Sequence, residues 1–173
     1  GRTRLSSSYP ERWRTFEEVL PVAAYLDAEL VWLCTKESGL FVIDLDNSID
    51  TDTGAIAPNA QAILKDFDSY TEVSRSGSGV HIIARGKHPY FDDHCGLKRS
   101  YDNGFQIEVY VKKSITLTLD VMNGKNYVSD CTQSLKYLLF EKFYDKTHHT
   151  PKATLVGSTS MSDAEVLKRY SAK

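Results

Sequence analysis

Residues 41–50 read "FVIDLDNSID", with Asp44 and Asp46 one residue apart inside an apolar run. Successive side chains of a strand point to opposite faces, so Phe41, Ile43 and Leu45 would face a core and the two carboxylates the other side. Carboxylates gathered on one face repel. At about 5 Å and an effective dielectric near 20, each pair costs roughly 3 kcal/mol. A divalent cation removes that penalty, and hard oxygen ligands suit Mg²⁺ or Mn²⁺. Two such ions can activate an attacking oxygen and stabilise a leaving one in phosphoryl transfer.

Other segments are expected to contribute to the same polar face. "VHIIARG" places Val80, Ile82 and Ala84 on a core face and His81 and Arg85 opposite. "FQIEVYV" sends Ile107 and Val109 inward and Gln106, Glu108 and Tyr110 outward. "SITLTLD" is expected to bury Ile115, Leu117 and Leu119, leaving Ser114, Thr116, Thr118 and Asp120 on the other side. Immediately before His81 lies the Gly/Ser stretch "SGSG" with Ser76 and Ser78, where backbone N–H groups and hydroxyls could cradle phosphate oxygens. Singly, each feature has an ordinary reading. A D-x-D can be a strand end meeting solvent, a strand histidine a structural residue, "SGSG" a flexible turn and Lys112–Lys113 a hairpin tip. Their order and compatible facing are what point to chemistry.

The elements that must position these residues follow from pattern and punctuation. "TFEEVLPVAAYLDA" starts a helix, with Thr15 and Glu18 in capping-box spacing, and Pro21 is expected to kink or end its first turn. Strands follow at "LVWLCT" and "LFVIDLD", separated by the turn "KESG". A helix begins at Pro58 and shares Ala60, Ile63, Leu64 and Phe67 on one face. "YTEVSR" pairs with "VHIIARG", and "FQIEVYV" with "SITLTLDV" around the two lysines. "HPYFDDHCGLKRSYDNG" between these pairs reads as a long polar loop. Residues 131–144 form an amphipathic helix on Leu135, Leu138, Leu139 and Phe143.

Domain organisation is expected as a catalytic domain over residues 1–144, a linker over 145–160 and a helical accessory segment starting at 161–173. Ser162 and Glu165 mark the start of that last helix. The abrupt polar opening and a helix that runs off the end predict a piece of a longer protein.

The 173 residues with 41% hydrophobic content suffice for one such core. No apolar run approaches the roughly 18–20 residues that span a bilayer, and the first residues lack a secretory profile. Cys34, Cys95 and Cys131 are odd in number and far apart, without zinc-ligand spacing, and read as reduced thiols of an intracellular protein. The pairs His148–His149 and His94–Cys95 do not suggest a metal site. A net charge of −2 gives no global attraction to nucleic acid, so a polyanion must meet a local basic patch.

The ordered set resembles the archaeo-eukaryotic primase superfamily, in particular the primase–polymerase domains of phages, plasmids and other mobile elements. "FVIDLDN" is similar to its first motif, "SRSGSGVHI" to its second and "QIEVY" to its third. The likeness covers roughly residues 9–120. It implies an α/β (α+β) fold in which an RRM-like catalytic sheet carries helices on one face and a smaller N-terminal α/β part stands beside it. It implies that Asp44, Asp46 and Glu108 hold two catalytic metals, Mg²⁺ or Mn²⁺, and that His81 meets the triphosphate, with Ser76, Ser78, Arg85, Lys113 and Thr116 also assigned to the nucleotide. Relatives often carry a basic residue in the Gly/Ser loop, a place that by this resemblance falls to Ser78, with Arg85 or Lys87 as substitutes. The implied activity is template-directed primer synthesis and extension from NTP or dNTP on single-stranded DNA, alongside a fused or separate helicase, in a bacterial or archaeal host cytoplasm. Two rivals stay open: a metal-dependent nuclease built on the same carboxylates, and a non-catalytic RRM-like module that binds single strands.

Overall fold

In the computed structural model, which describes residues 10–144, helix α1 (Phe16–Leu26) opens the fold. Its capping box forms: the Thr15 amide donates to Glu18 Oε2 at 2.8 Å and the Glu18 amide to Thr15 Oγ1 at 3.4 Å. The helix runs through Pro21 to Leu26 instead of ending near it. Pro21 stands at the sixth of the eleven helical positions, where it removes one backbone donor while the remaining hydrogen bonds carry the helix on. The expected linker, the accessory helix with its Ser162–Glu165 cap, and His148–His149 lie outside the described residues.

Seven strands follow the expected order with one addition. They are β1 (Leu30–Cys34), β2 (Leu40–Asp46), β3 (Tyr70–Val73), β4 (Val80–Arg85), β5 (Gly96–Ser100), β6 (Gln106–Tyr110) and β7 (Lys113–Leu117). Helices α2 (Pro58–Asp66) and α4 (Thr132–Phe143) flank them, with the four-residue α3 (Tyr90–Asp93) between β4 and β5. The α+β class is as expected. Five strands form an antiparallel sheet in the order β3-β4-β2-β6-β5.

One face of that sheet holds the main core. Phe41, Ile43, Leu45, Val80, Ile82, Ala84, Ile107 and Val109 pack against Ile63 and Leu64 of α2 and Leu135 and Leu138 of α4. The alternation in the sequence therefore predicts the buried face residue by residue. β5 was hidden in the stretch read as a polar loop. It is an edge strand whose residues are mostly exposed, so it carries no hydrophobic alternation.

The expected pairing of β6 with β7 does not occur. β6 lies between β2 and β5, whereas β7 pairs antiparallel with β1 in a separate two-stranded ribbon. The smaller part is thus built from both ends, α1 and β1 from one side and β7 from the other. Its Ile115 and Cys34 pack on Val42, Ile83 and Tyr110 of the large sheet. The second face of the sheet is consequently apolar where the ribbon covers it and polar beyond. Leu119 leaves the ribbon with φ +61 and is 41% exposed, not buried as the alternation implied, because β7 ends at Leu117.

Candidate active site

The register places one chemically loaded row straight across all five strands. Lys98 of β5 faces Glu108 of β6, Glu108 faces Asp44 of β2, Asp44 faces His81 of β4, and His81 faces Glu72 of β3. Directly opposite residues on one side of a sheet have Cβ atoms about 4.5–5.5 Å apart, close enough for neighbours in the row to interact. Asp46 lies on the same face one step along β2, opposite Gln106.

The middle of this row, Asp44 and His81, opens into a cleft of about 250 Å³ between the large sheet and the ribbon. Asp44, Asp46 and His81 line one wall. Ser74, Arg75 and Ser76, leading out of β3, line a second. Lys113, Ser114, Ile115 and Thr116 of β7 form a third, with Tyr110 at its base. The departure of β7 from β6 is what makes the cleft, since it carries Lys113 and Thr116 over to the opposite wall.

Asp44 is strongly influenced by its surroundings. Burial pushes its carboxyl above the usual range, and the charges of Asp46 and Glu108 add to that, against the opposing pull of His81 and Lys113. Its Oδ1 is buried without a hydrogen-bond partner, and His81 Nε2 stands 3.8 Å away. Lys113 bonds Glu108 and lies over the Tyr110 ring, 4.7 Å from its centre.

His81 is held from behind. Its Nδ1 is 3.0 Å from Oε1 of Glu72, a fully buried carboxylate. Burial would raise the Glu72 carboxyl, but hydrogen bonds from His81, Tyr70 and the Leu119 amide outweigh it and hold the group below its ordinary range.

Asp44, Asp46, His81, Ser76, Lys113 and Thr116, all expected at a site, come together in the cleft. Glu108 does not line it but stands beside Asp44 in the row. Two expected residues are not brought in. Arg85 ends β4 opposite Leu40, four residues and about 13 Å along the strand from His81. Ser78 turns away: its hydroxyl meets that of Ser76 at 3.0 Å and its carbonyl accepts from the Ser48 and Ile49 amides. The loop's backbone is also less available than expected, because the Ser74, Gly77 and Ser78 amides bond within the loop. It offers the cleft side chains instead, and the basic one is Arg75. Arg75, Ser74 and Glu72 escaped the sequence reading, although "TEVSRS" does carry the signal of two charges in a strand and its exit.

A metal site can be tested against this geometry. Among the described residues no group of three or more His, Cys, Asp or Glu residues is disposed to cage a metal ion by itself. Mg²⁺ rarely uses such cages and commonly binds through one or two carboxylates, with waters and substrate phosphates completing the shell. The unpartnered buried oxygen of Asp44, with Asp46 and Glu108 near it, fits a cation held in that shared manner.

The fold and site together define an α+β domain with an acidic row under a cleft of basic and hydroxyl-bearing walls. The chain is 31% identical over 134 residues to a DNA primase-polymerase of Nitratiruptor phage NrS-1, a match that takes in 76% of this chain and 18% of the phage protein. The chain is thus related to a phage primase-polymerase, bearing out the resemblance carried by its three motifs, and it spans less than a fifth of that relative's length. No protein-family model matches the chain. Among the described residues no helix is long and apolar enough to cross a membrane.

Proposed function

We propose that this chain is the catalytic domain of a primase-polymerase and performs template-directed nucleotidyl transfer in replication of a mobile element. The observation that carries this reading is the placement of Asp44 between Glu108 and His81, with a buried unpaired oxygen, beneath a cleft lined by Lys113 and Arg75. That arrangement matches a ligand that brings both a cation and several negative charges, as a nucleoside triphosphate does.

Asp44, Asp46 and Glu108 would hold Mg²⁺ or Mn²⁺. Bound there, the ions would ease deprotonation of the attacking hydroxyl and neutralise charge on the reacting phosphate. The chain's own groups supply the rest. His81, held in place by Glu72, would meet the β- and γ-phosphates as a positioned donor, and Lys113 and Arg75 would join it by exchanging their present partners, Glu108 and Glu29, for phosphate oxygens. Ser76 and Thr116 offer hydroxyls to the remaining phosphate oxygens. Tyr110 and Ile115, both buried, add apolar surface to the lining of the cleft. A primer 3′-OH, or the sugar hydroxyl of a first nucleotide, attacks the α-phosphate of an NTP or dNTP opposite a single-stranded DNA template, and pyrophosphate leaves. A helicase, fused or separate, would supply that template.

The single-strand-binding alternative is disfavoured by the sheet face itself. Such modules stack bases on exposed aromatics, whereas on the row's face Tyr110 is only 3% exposed and Tyr70 packs against the same apolar cluster. The nuclease alternative needs no triphosphate pocket. Thermal unfolding with nucleotide, with Mn²⁺, and with both separates the readings. The polymerase reading expects the pair together to stabilise the domain beyond the sum of each alone. Stabilisation by Mn²⁺ only, with template degraded in the absence of nucleotides, would establish the nuclease instead.

A further inference from the structure

Glu72 has no assigned part in the chemistry above, and its placement is unusual. It is fully buried in β3, next to two more buried polar residues, Thr71 and His81. Charged side chains are almost never fully buried unless paired, and each of its oxygens has a separate duty. Oε1 meets His81 Nδ1 at 3.0 Å. Oε2 accepts from the Tyr70 hydroxyl at 2.7 Å, the Leu119 amide at 3.0 Å and the Thr118 amide at 3.2 Å. The two backbone donors belong to the segment that leaves β7, the strand carrying Lys113 and Thr116 into the cleft. One carboxylate therefore ties together the histidine of one wall and the end of the strand that forms another.

We propose that Glu72 is a positioning residue for the nucleotide pocket, fixing the His81 ring with Nε2 toward the cleft and locking the β7 wall against the main sheet. The inference rests on the nucleotidyl-transfer reading for its substrate, but not for its geometry. An ionised carboxylate only accepts hydrogen bonds, so His81 Nδ1 must donate, and Nε2 is the ring nitrogen presented to Asp44 and the cleft. Carboxylates behind metal-ligating histidines fix tautomer and orientation in this way, and their loss typically costs about 10–100-fold in metal affinity or activity, a scale carried over here to a histidine that meets phosphate. The β7 clamp adds a second effect. Thr118 Oγ1 also donates to the Val73 carbonyl at 2.6 Å and the Val73 amide to Asp120 at 2.9 Å, so the β7 exit is laced to β3 around Glu72. Leu119, at φ +61, is the residue bent to reach it.

Glu72→Gln tests this with nearly unchanged shape. Glutamine has one acceptor oxygen where glutamate has two. Three donors surround the Oε2 position and one the Oε1 position, so the amide oxygen settles at the former and its NH₂ faces His81 Nδ1. The proton on the ring must then move from Nδ1 to Nε2. Nitrogen NMR of ¹⁵N-histidine-labelled protein reads this directly, with His81 assigned by its loss in His81→Ala. The wild type is expected to show a protonated Nδ1, and Glu72→Gln an unprotonated one.

In primer extension, Glu72→Gln is expected to raise the nucleotide KM about tenfold with kcat changed less than about threefold, following the range for such partners. In a His81→Ala background it should add little, because it acts through the ring. An unprotonated Nδ1 in the wild type overturns the proposal whether or not any variant folds. So does a KM within twofold of wild type, or a Glu72→Gln effect that multiplies fully with that of His81→Ala. If the wild type makes no product at all, the nucleotidyl-transfer reading fails, while the NMR result still decides the role of Glu72.

Discussion

Asp44→Asn is expected to stabilise the cation-free domain while destroying its activity. The aspartate is a desolvated anion whose Oδ1 has no hydrogen-bond partner. An unsatisfied buried acceptor costs about 1–3 kcal/mol. Asp44 also faces Glu108 in the next strand and Asp46 on its own. Each like-charged pair at about 5 Å costs roughly 3 kcal/mol at an effective dielectric near 20, and Lys113 and His81 offset part of it. The raised carboxyl shows that the unfavourable side prevails, which means the folded state holds the Asp44 proton more tightly than the unfolded chain does. Stability from this group therefore falls as pH rises above the ordinary carboxyl range, and the penalty is in force at neutral pH. Asparagine removes it. A net gain of about 1–2 kcal/mol is expected, or about 3–6 °C in Tm for a domain of this size. The assay is urea and thermal unfolding in chelator at neutral pH and again near pH 3, where the gain should vanish. Adding Mn²⁺ with nucleotide should then stabilise the wild type and not the variant. A variant less stable than wild type at neutral pH would refute the reasoning, because the carboxylate would then be contributing to the fold.

Other perturbations separate the cleft from its surroundings. Lys113→Gln and Arg75→Ala should each raise the nucleotide KM about tenfold in steady-state incorporation, a typical loss for one charged contact, whereas Arg85→Ala should leave it unchanged because Arg85 lies at the far end of β4. Gly79→Ala should cost about 1–3 kcal/mol in urea unfolding, since a Cβ there would stand 2.7 Å from Ser74 Oγ and 3.0 Å from the Leu45 carbonyl. Glu72 is held below its ordinary carboxyl range, so the stability it contributes is present above about pH 4.5 and is lost as pH falls through its folded value. The stability difference between wild type and Glu72→Gln should accordingly shrink on acidification, as read by unfolding at stepped pH.

The buried face was legible because a period of two is unambiguous when one side of a strand is greasy. Phe41, Ile43 and Leu45, or Ile107 and Val109, have no other place to go. Partners are a different matter. Nothing in the pattern of β7 says that it joins β1, more than eighty residues earlier, in preference to its neighbour β6. Such pairing is decided by where Ile115 and Cys34 can be buried, which only the assembled sheet defines. The site suffered in the same way. Asp44, Asp46, His81 and Glu108 stood out by type and facing, but their alignment in one row depends on register. Glu72 stayed hidden because a charge on a four-residue strand looks solvent-facing until the β7 exit closes over it. Arg85 misled for the opposite reason, sharing the face of His81 while lying too far along it.

The central claim is that Asp44 and its row support templated synthesis. Incorporation of labelled dNTPs and rNTPs with Mg²⁺ or Mn²⁺, on primed and unprimed single-stranded DNA, beside Asp44→Ala, tests it most directly. Products whose sequence follows the template, and which disappear in Asp44→Ala, are the predicted result. Equal synthesis by the folded variant, or no incorporation by the folded wild type on any template, would contradict it.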